Sequence, residues 1–247
     1  MKTETILGIK VSNTSIKEIC DDVVDSVKKN QKMFITSINP EIIMHGVENA
    51  EHKKILNSAT HSLPDGIGVI FASKILRGKI KERIAGIDCA ENLCKTASEN
   101  NLKVFLYGAK NGVAKKAQKN LEEKYPNLNI VGIMDGYEKD ESKIVEAINN
   151  SKANIVLVAL GGGKQEEWIY HNLEKVNAQV FQCVGGSFDV FSGNSKRAPK
   201  IMQKLGIEWL FRLMKEPSRF KRQAKIPKFI LLVFKERFNT SKKLLSK

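Results

Sequence analysis

Short apolar runs that end in polar, glycine- or proline-bearing loops recur along residues 1–195, and amphipathic stretches separate them. The runs are Met33–Ile38, Lys103–Tyr107, Asn129–Ile133, Asn154–Leu160 and Gln179–Val184, with a shorter one at His61–Leu63. Helical periodicity marks stretches near 87–99, 111–124, 140–150 and 163–175. It also places Ile16, Ile19, Cys20, Val23, Val24 and Val27 on one stripe, behind the capping candidates Asn13 and Thr14. Strands that are apolar throughout, without alternation, are buried on both faces, which requires a parallel sheet covered by helices on either side.

Charge divides the chain. The formal net charge is +14, yet residues 1–195 carry 25 Lys+Arg against 24 Asp+Glu, while residues 196–247 carry 16 against 3. The expected organisation is therefore an α/β domain over 1–195, a Rossmann-like, mostly parallel sheet with helices on both faces, and a basic, helical C-terminal appendage over 196–247. A segment this cationic meets something anionic. Its charges alternate with Trp209, Leu210, Phe211, Leu213, Met214, Phe220, Phe238 and the run Phe229–Phe234. That mixture suits an anionic membrane surface better than nucleic acid, because aromatic and aliphatic side chains bury in the headgroup region while Lys and Arg meet lipid phosphates. A helix docked on the main domain with solvated lysines is the other reading, and one helix can do both. The Phe229–Phe234 run is far shorter than the about 20 residues a membrane span needs. The first residues, Met1-Lys2-Thr3-Glu4-Thr5, lack the apolar core of a secretory signal.

In folds of this kind ligands bind at the carboxyl ends of the strands, and here those ends carry chemistry. Met33–Ile38 leads into Asn39-Pro40-Glu41, and His61–Leu63 into Pro64-Asp65-Gly66-Ile67-Gly68. Lys103–Tyr107 leads into Gly108-Ala109, and Asn129–Ile133 into Asp135-Gly136-Tyr137. Asn154–Leu160 leads into Gly161-Gly162-Gly163-Lys164-Gln165-Glu166, and Gln179–Val184 into Gly185-Gly186-Ser187-Phe188-Asp189. Glycine at a strand-to-helix turn lets backbone N–H groups approach a phosphate. Any one such loop is explained equally by a tight turn, but several on one sheet edge favour a nucleotide-diphosphate ligand. None of them matches the dinucleotide fingerprint, since Phe71 stands where Gly66-x-Gly68 would need its third glycine. Asp65, between Pro64 and Gly66, is positioned either as a general base or as the cap of the helix after it. Arg83 is either a phosphate clamp or a surface residue. Cys20, Cys89, Cys94 and Cys183 show no CxxC spacing, and reduced, buried thiols are expected. With no Asp-x-Asp and four scattered histidines, neither a metal centre nor a cofactor is expected.

The most specific segment is Gly185-Gly-Ser-Phe-Asp-Val-Phe-Ser-Gly193, followed by Lys196-Arg-Ala-Pro199, Gly206-Ile-Glu-Trp-Leu-Phe-Arg-Leu213 and Glu216-Pro-Ser-Arg219. With the Asn39, Asp65, Asp135 and Lys164 loops, this ordered pattern resembles the WecG/TagA/CpsF family of bacterial glycosyltransferases from about Leu7 to about Gln223. The resemblance implies an inverting, metal-independent transfer of N-acetylmannosamine from a UDP-sugar donor to an undecaprenyl-diphosphate-linked N-acetylglucosamine. The product bond would be β-1,4, in teichoic acid linkage-unit synthesis, at the inner face of the cell membrane. It implies Asp65 as the base, Arg83 as its catalytic companion, and Ser37, Asn39 and Gln165 in the pocket. The other strand-end residues, Gly108, Asp135, Gly136, Tyr137, Lys164, Glu166, Gly185, Gly186 and Asp189, are the expected substrate contacts. Family members more often have Thr at Ser37 and Pro at Gly163. Without a metal, Arg212, Arg219 and Arg222 are expected to neutralise the departing diphosphate or to bind lipid, with the appendage closing over the site at the membrane.

Other readings remain at this level. Sister enzymes transfer N-acetylmannosaminuronic acid or glucose-type sugars, and a few pocket contacts decide between them. A basic-tailed nucleic-acid-binding protein would show steeply salt-dependent binding. A soluble oxidoreductase lacks its fingerprint. A monomer and a homo-oligomer both fit the sequence.

Overall fold

The computed structural model describes residues 2–215 and 224–245, without the side chains of Arg212 and residues 240–245. The chain opens with a hairpin, β1 (Lys2–Ile6) and β2 (Ile9–Asn13), and continues through α1 (Ile16–Lys28), β3 (Met33–Ile38), α2 (Pro40–Glu48), α3 (Ala50–Ser58) and β4 (His61–Pro64). Then follow α4 (Ile67–Ile75), α5 (Gly86–Glu99), β5 (Lys103–Gly108), α6 (Val113–Lys124), β6 (Asn129–Met134), α7 (Glu141–Ser151) and β7 (Ile155–Ala159). The rest is α8 (Lys164–Asn172), β8 (Val180–Cys183), α9 (Ser187–Phe191), α10 (Lys200–Lys204), α11 (Glu208–Lys215) and α12 (Ile226–Leu245).

Six strands form one sheet in the order β4-β3-β8-β7-β5-β6, every neighbouring pair parallel. The unbroken apolar runs explain this: all five residues of β7 are buried, as a central parallel strand requires. One face packs on α1, α5, α6 and α9 through residues such as Ile19, Leu93, Ala117 and Phe188. The other packs on α3, α7 and α8 through Ile55, Ile148 and Ile169. β5 leads outward to β6, whereas its neighbour β7 leads the opposite way to β8, so the connections diverge between β5 and β7. A crevice at such a point is the usual ligand site of an open α/β sheet.

Local chemistry sets the helix starts. α1 is capped by Ser15, not by Asn13 or Thr14, because Asn13 is still paired with Lys2 in the hairpin. The Ser15 hydroxyl accepts the Glu18 N–H at 3.3 Å and Glu18 Oε2 accepts the Ser15 N–H at 2.8 Å, a reciprocal capping box. α2 is capped by Asn39, with Pro40 in its first turn.

A third apolar cluster lies beside β4. It joins Ile6, Ile9 and Val11 of the hairpin to Ile43 and Met44 of α2, Val69 and Ile70 of α4, and Phe229 and Val233 of α12. Lys225 and Lys228 pair with Glu48 at 2.6 and 3.0 Å, and Glu236 Oε2 accepts the Leu7 N–H at 3.0 Å. The C-terminal helix is thus seated on the α/β body, while Leu231, Phe234 and Phe238 remain exposed.

Candidate active site

α5 starts with an unmet need. Its N-cap is Ala85, which has no capping side chain, so the first backbone N–H of the helix requires an outside acceptor. Asp65 supplies it from the end of β4: Oδ2 accepts the Gly86 N–H at 3.2 Å. Gly66, the N-cap of α4, brings no capping side chain of its own, and the Asp65 bond to Gly86 goes to α5. The Asp65 backbone is registered against β3 by its N–H to Ile38 O at 2.9 Å, and Ile84 N–H meets Pro64 O at 3.0 Å. Ser37 completes the corner. A Cβ on residue 86 would collide with the Ser37 hydroxyl and stand 3.8 Å from Asp65 Oδ2, so glycine there is what lets these three groups converge. Gln182 of β8, fully buried, donates Nε2 to Gly86 O at 2.9 Å and holds the far side of that peptide.

A second cluster lies under the neighbouring loops. Glu166 is fully buried at the start of α8. Its Oε2 accepts the Gly163 N–H at 2.7 Å, and Oε1 accepts Gln165 Nε2 at 3.1 Å and the Thr36 hydroxyl at 3.2 Å. Gln165 Oε1 in turn accepts the Gly185 N–H at 3.0 Å. Gln165 and Glu166 therefore tie the loop after β7 to the loop after β8 and to β3. Burial raises the Glu166 pKa, and the hydrogen bonds from Gln165, Gly163 and Thr36 oppose that rise. The Cys183 thiol beside it is also raised, by burial and then by the Glu166 carboxylate.

The remaining expected residues divide by strand. Ser37 lies near the end of β3 and Asn39 follows it, where the Asn39 side-chain oxygen accepts the Ile42 N–H at 2.9 Å. Gly185, Gly186 and Asp189 follow β8, and Lys164 is exposed at the first turn of α8. Gly108 has a steric reason to be glycine: φ is +115°, and a Cβ would collide with the Ala159 carbonyl of the adjacent strand. Asp135, Gly136 and Tyr137 follow β6, where Asp135 Oδ1 accepts the Tyr137 N–H at 2.9 Å and Gly136 N–H meets Ala109 O at 2.9 Å. β4 and β6 are the two edges of the sheet. At about 4.8 Å per strand the Asp135 turn is roughly 24 Å from Asp65, so one small group cannot touch both.

Arg83 is mostly buried and faces the C-terminal segment: Nη2 donates to Gln203 O at 3.2 Å, and Nη1 is 3.7 Å from Glu208 Oε2. Arg219, Arg222 and the Arg212 side chain lie outside the described residues. Sequence reading missed Thr36, Gln182 and Asp88, and it took in Arg197 and Glu208 only as members of longer motifs, with no role of their own. Gln182 and Thr36 sit in apolar strands, and a buried polar residue in such a run was the available signal. Among the described residues no group of three or more His, Cys, Asp or Glu could hold a metal ion.

These features define an α/β protein with its polar residues gathered at the carboxyl ends of a parallel sheet. The family model "Glycosyl transferase WecG/TagA/CpsF family" matches residues 4–243, and the chain belongs to that family. It is 38% identical over 241 residues, 97% of this chain and 94% of the relative, to an N-acetylglucosaminyldiphosphoundecaprenol N-acetyl-beta-D-mannosaminyltransferase of Bacillus subtilis (strain 168). Proteins of the same name from Bacillus spizizenii and Staphylococcus aureus (strain MRSA252) are 38% and 33% identical, over 84% and 93% of this chain and 80% and 91% of the relatives.

Proposed function

We propose that this chain transfers N-acetylmannosamine from UDP-N-acetylmannosamine to N-acetylglucosamine carried on undecaprenyl diphosphate. The observation that carries the reading is the Asp65 corner, a carboxylate oriented by Gly86 beside the Ser37 hydroxyl in a chain similar over nearly its full length to N-acetylmannosaminyltransferases. Asp65 takes the proton of the acceptor hydroxyl. The freed oxygen forms the new bond at the anomeric carbon, the bond from that carbon to the diphosphate oxygen breaks, and UDP leaves with the electron pair. Attack opposite the leaving group inverts the anomeric centre and makes a β linkage. Arg83 binds diphosphate oxygens, with Arg212, Arg219 and Arg222 adding charge from the appendage, so that no metal is required.

The enzyme works at the inner face of the cell membrane as a peripheral protein. No described helix is long and apolar enough to cross a membrane. Ile201 of α10 and Leu205 just after it, Trp209 and Met214 of α11, and Leu231, Phe234 and Phe238 of α12 are exposed among the 16 basic residues of segment 196–247. Apolar side chains exposed within a cationic segment favour anionic lipid over nucleic acid.

The decisive experiment measures UDP release with a lipid-diphosphate N-acetylglucosamine analogue in EDTA, for the intact chain and Asp65→Ala. Release by the intact chain alone supports donor, base and metal independence together. Release only with a sister UDP-sugar reassigns the donor, and release with none removes the transferase reading.

A further inference from the structure

Four charges from separate stretches of chain form a row beside the Asp65 corner. Asp88, in the first turn of α5, accepts both terminal nitrogens of Arg197, Nη2 to Oδ2 at 2.8 Å and Nη1 to Oδ1. Arg197 turns Nε to Glu208 Oε1 at 3.3 Å. Glu208, in the first turn of α11, points its other oxygen at Arg83 Nη1, 3.7 Å away. The row is therefore Asp88–Arg197–Glu208–Arg83, with alternating signs throughout. The Glu208 side chain is only 7% exposed and both arginine side chains 19%. Burial works against the charge of Arg197, yet the Asp88 and Glu208 carboxylates outweigh it and raise its pKa.

Both ends of the row enter the elements that hold Asp65. Arg83 precedes Ile84, whose N–H bonds Pro64 O at the end of β4, and Asp88 lies two residues beyond Gly86. The middle of the row comes from the 197–208 segment, outside the sheet and its layers. A carboxylate this buried persists only when paired, and removing it takes from Arg83 and Arg197 the carboxylate that both of them meet. The hydrogen bond from Nη2 to Gln203 O and the ion pair between Nη1 and Glu208 hold the two ends of the Arg83 fork, which fixes its direction.

We propose that Glu208 is a positioning residue for the transfer reaction: it aims the Arg83 guanidinium, and Arg197, clamped bidentately by Asp88, fixes Glu208. The proposal rests on the reading of Arg83 as the group that binds the donor diphosphate. It makes the seating of α10 and α11 on the α/β body a condition for a competent Arg83.

A double-mutant cycle in the full-length protein separates this from a purely structural bolt. If Glu208 acts through Arg83, Glu208→Gln alone lowers kcat/KM by about 10- to 100-fold, mainly through a raised KM for the UDP-sugar, and adds no further loss in an Arg83→Ala background. Glu208→Asp recovers part of the loss. Losses that multiply in the double mutant overturn the proposal. Should Glu208→Gln fail to fold, Arg197→Lys, which removes the bidentate clamp, takes its place in the same cycle with the same two outcomes. Arginine Nε–Hε NMR reads the contact without turnover. The Arg83 signal, assigned by its absence in Arg83→Lys, is expected to be distinct in the intact protein and to collapse toward the free-arginine position in Glu208→Gln. An unchanged signal overturns the proposal. An intact chain with this NMR response but no turnover on any UDP-sugar removes the transferase reading instead.

Discussion

Asp65 Oδ2 accepts the Gly86 N–H at 3.2 Å, a bond between residues that the chain separates by the whole of α4 and the segment after it. The contact joins the end of β4 to the start of α5 and directs the carboxylate. An asparagine keeps an acceptor oxygen for Gly86 but cannot take a proton at neutral pH. Asp65→Asn is thus expected to melt within a few degrees of the intact protein and to lose about 10²- to 10⁴-fold in turnover, the usual weight of a positioned base. A fully active Asp65→Asn would show that another group accepts the proton.

Glu166 accepts from the Gly163 N–H, Gln165 Nε2 and the Thr36 hydroxyl. Glu166→Gln puts an amide NH2 among them. Placed toward Gly163 it opposes the backbone N–H. Placed toward Gln165 it makes that amide flip, and the Gln165 NH2 then opposes the Gly185 N–H. Either arrangement leaves a buried donor facing a donor, which costs about 1–3 kcal/mol. The expected result is a lower melting temperature together with a raised KM for the UDP-sugar, since both strand-end loops lose their tie. A variant with unchanged KM would confine Glu166 to stability.

The legible parts of this molecule are those in which one local pattern decides the outcome. The five longer apolar runs appear as strands within one or two residues: the central ones are apolar because both faces are covered, whereas β6, at the sheet edge, buries only Ile130. The hairpin was not legible: its turn residues, Leu7 and Gly8, both have positive φ, and leucine carries none of the Asn-Gly or Asp-Gly signal that marks such a turn. α4, Ile-Gly-Val-Ile-Phe-Ala-Ser-Lys-Ile, is too uniformly apolar to show a stripe. Within the site, Asp65 and the Gly185 loop stood out by their turn chemistry. Gln182 and Glu208 did not, because their role is set by partners 96 and 125 residues away in sequence, Gly86 and Arg83.

His52 gives the fold an acid limit. It is 1% exposed on α3, neither ring nitrogen has a hydrogen-bond partner among the described residues, and its ring lies 4.1 Å from that of His45. Burial first, and the neighbouring His45 second, lower its pKa to about 4. An unfolded chain protonates this residue near 6.5, so between 6.5 and 4 the unfolded state binds the extra proton and stability falls as pH falls. Buried His61, also lowered by burial against the opposing Asp22, acts in the same direction. His52→Leu is expected to flatten the melting temperature between pH 7 and 5, removing an acid penalty on the order of 2 kcal/mol. An equal acid slope in intact protein and variant would place the penalty elsewhere.

The seating of the C-terminal helix has its own energetic signature. Phe229 is 1% exposed and Val233 is fully buried in the cluster they share with α2 and α4, so α12 is attached through a small apolar contact framed by the Glu48 and Glu236 pairs. Phe229→Ala removes most of that contact, at a cost of about 3–5 kcal/mol for a fully buried ring. Because the loss falls on one helix rather than on the sheet, the expected effect is local opening: faster trypsin cleavage within α12 and a smaller change in the main thermal transition. If α12 must be seated to present Leu231, Phe234 and Phe238 to lipid, the same variant binds anionic vesicles more weakly and loses turnover on a membrane-embedded acceptor while keeping it on a water-soluble one. Equal losses on both acceptors would instead make the seated helix part of the catalytic body.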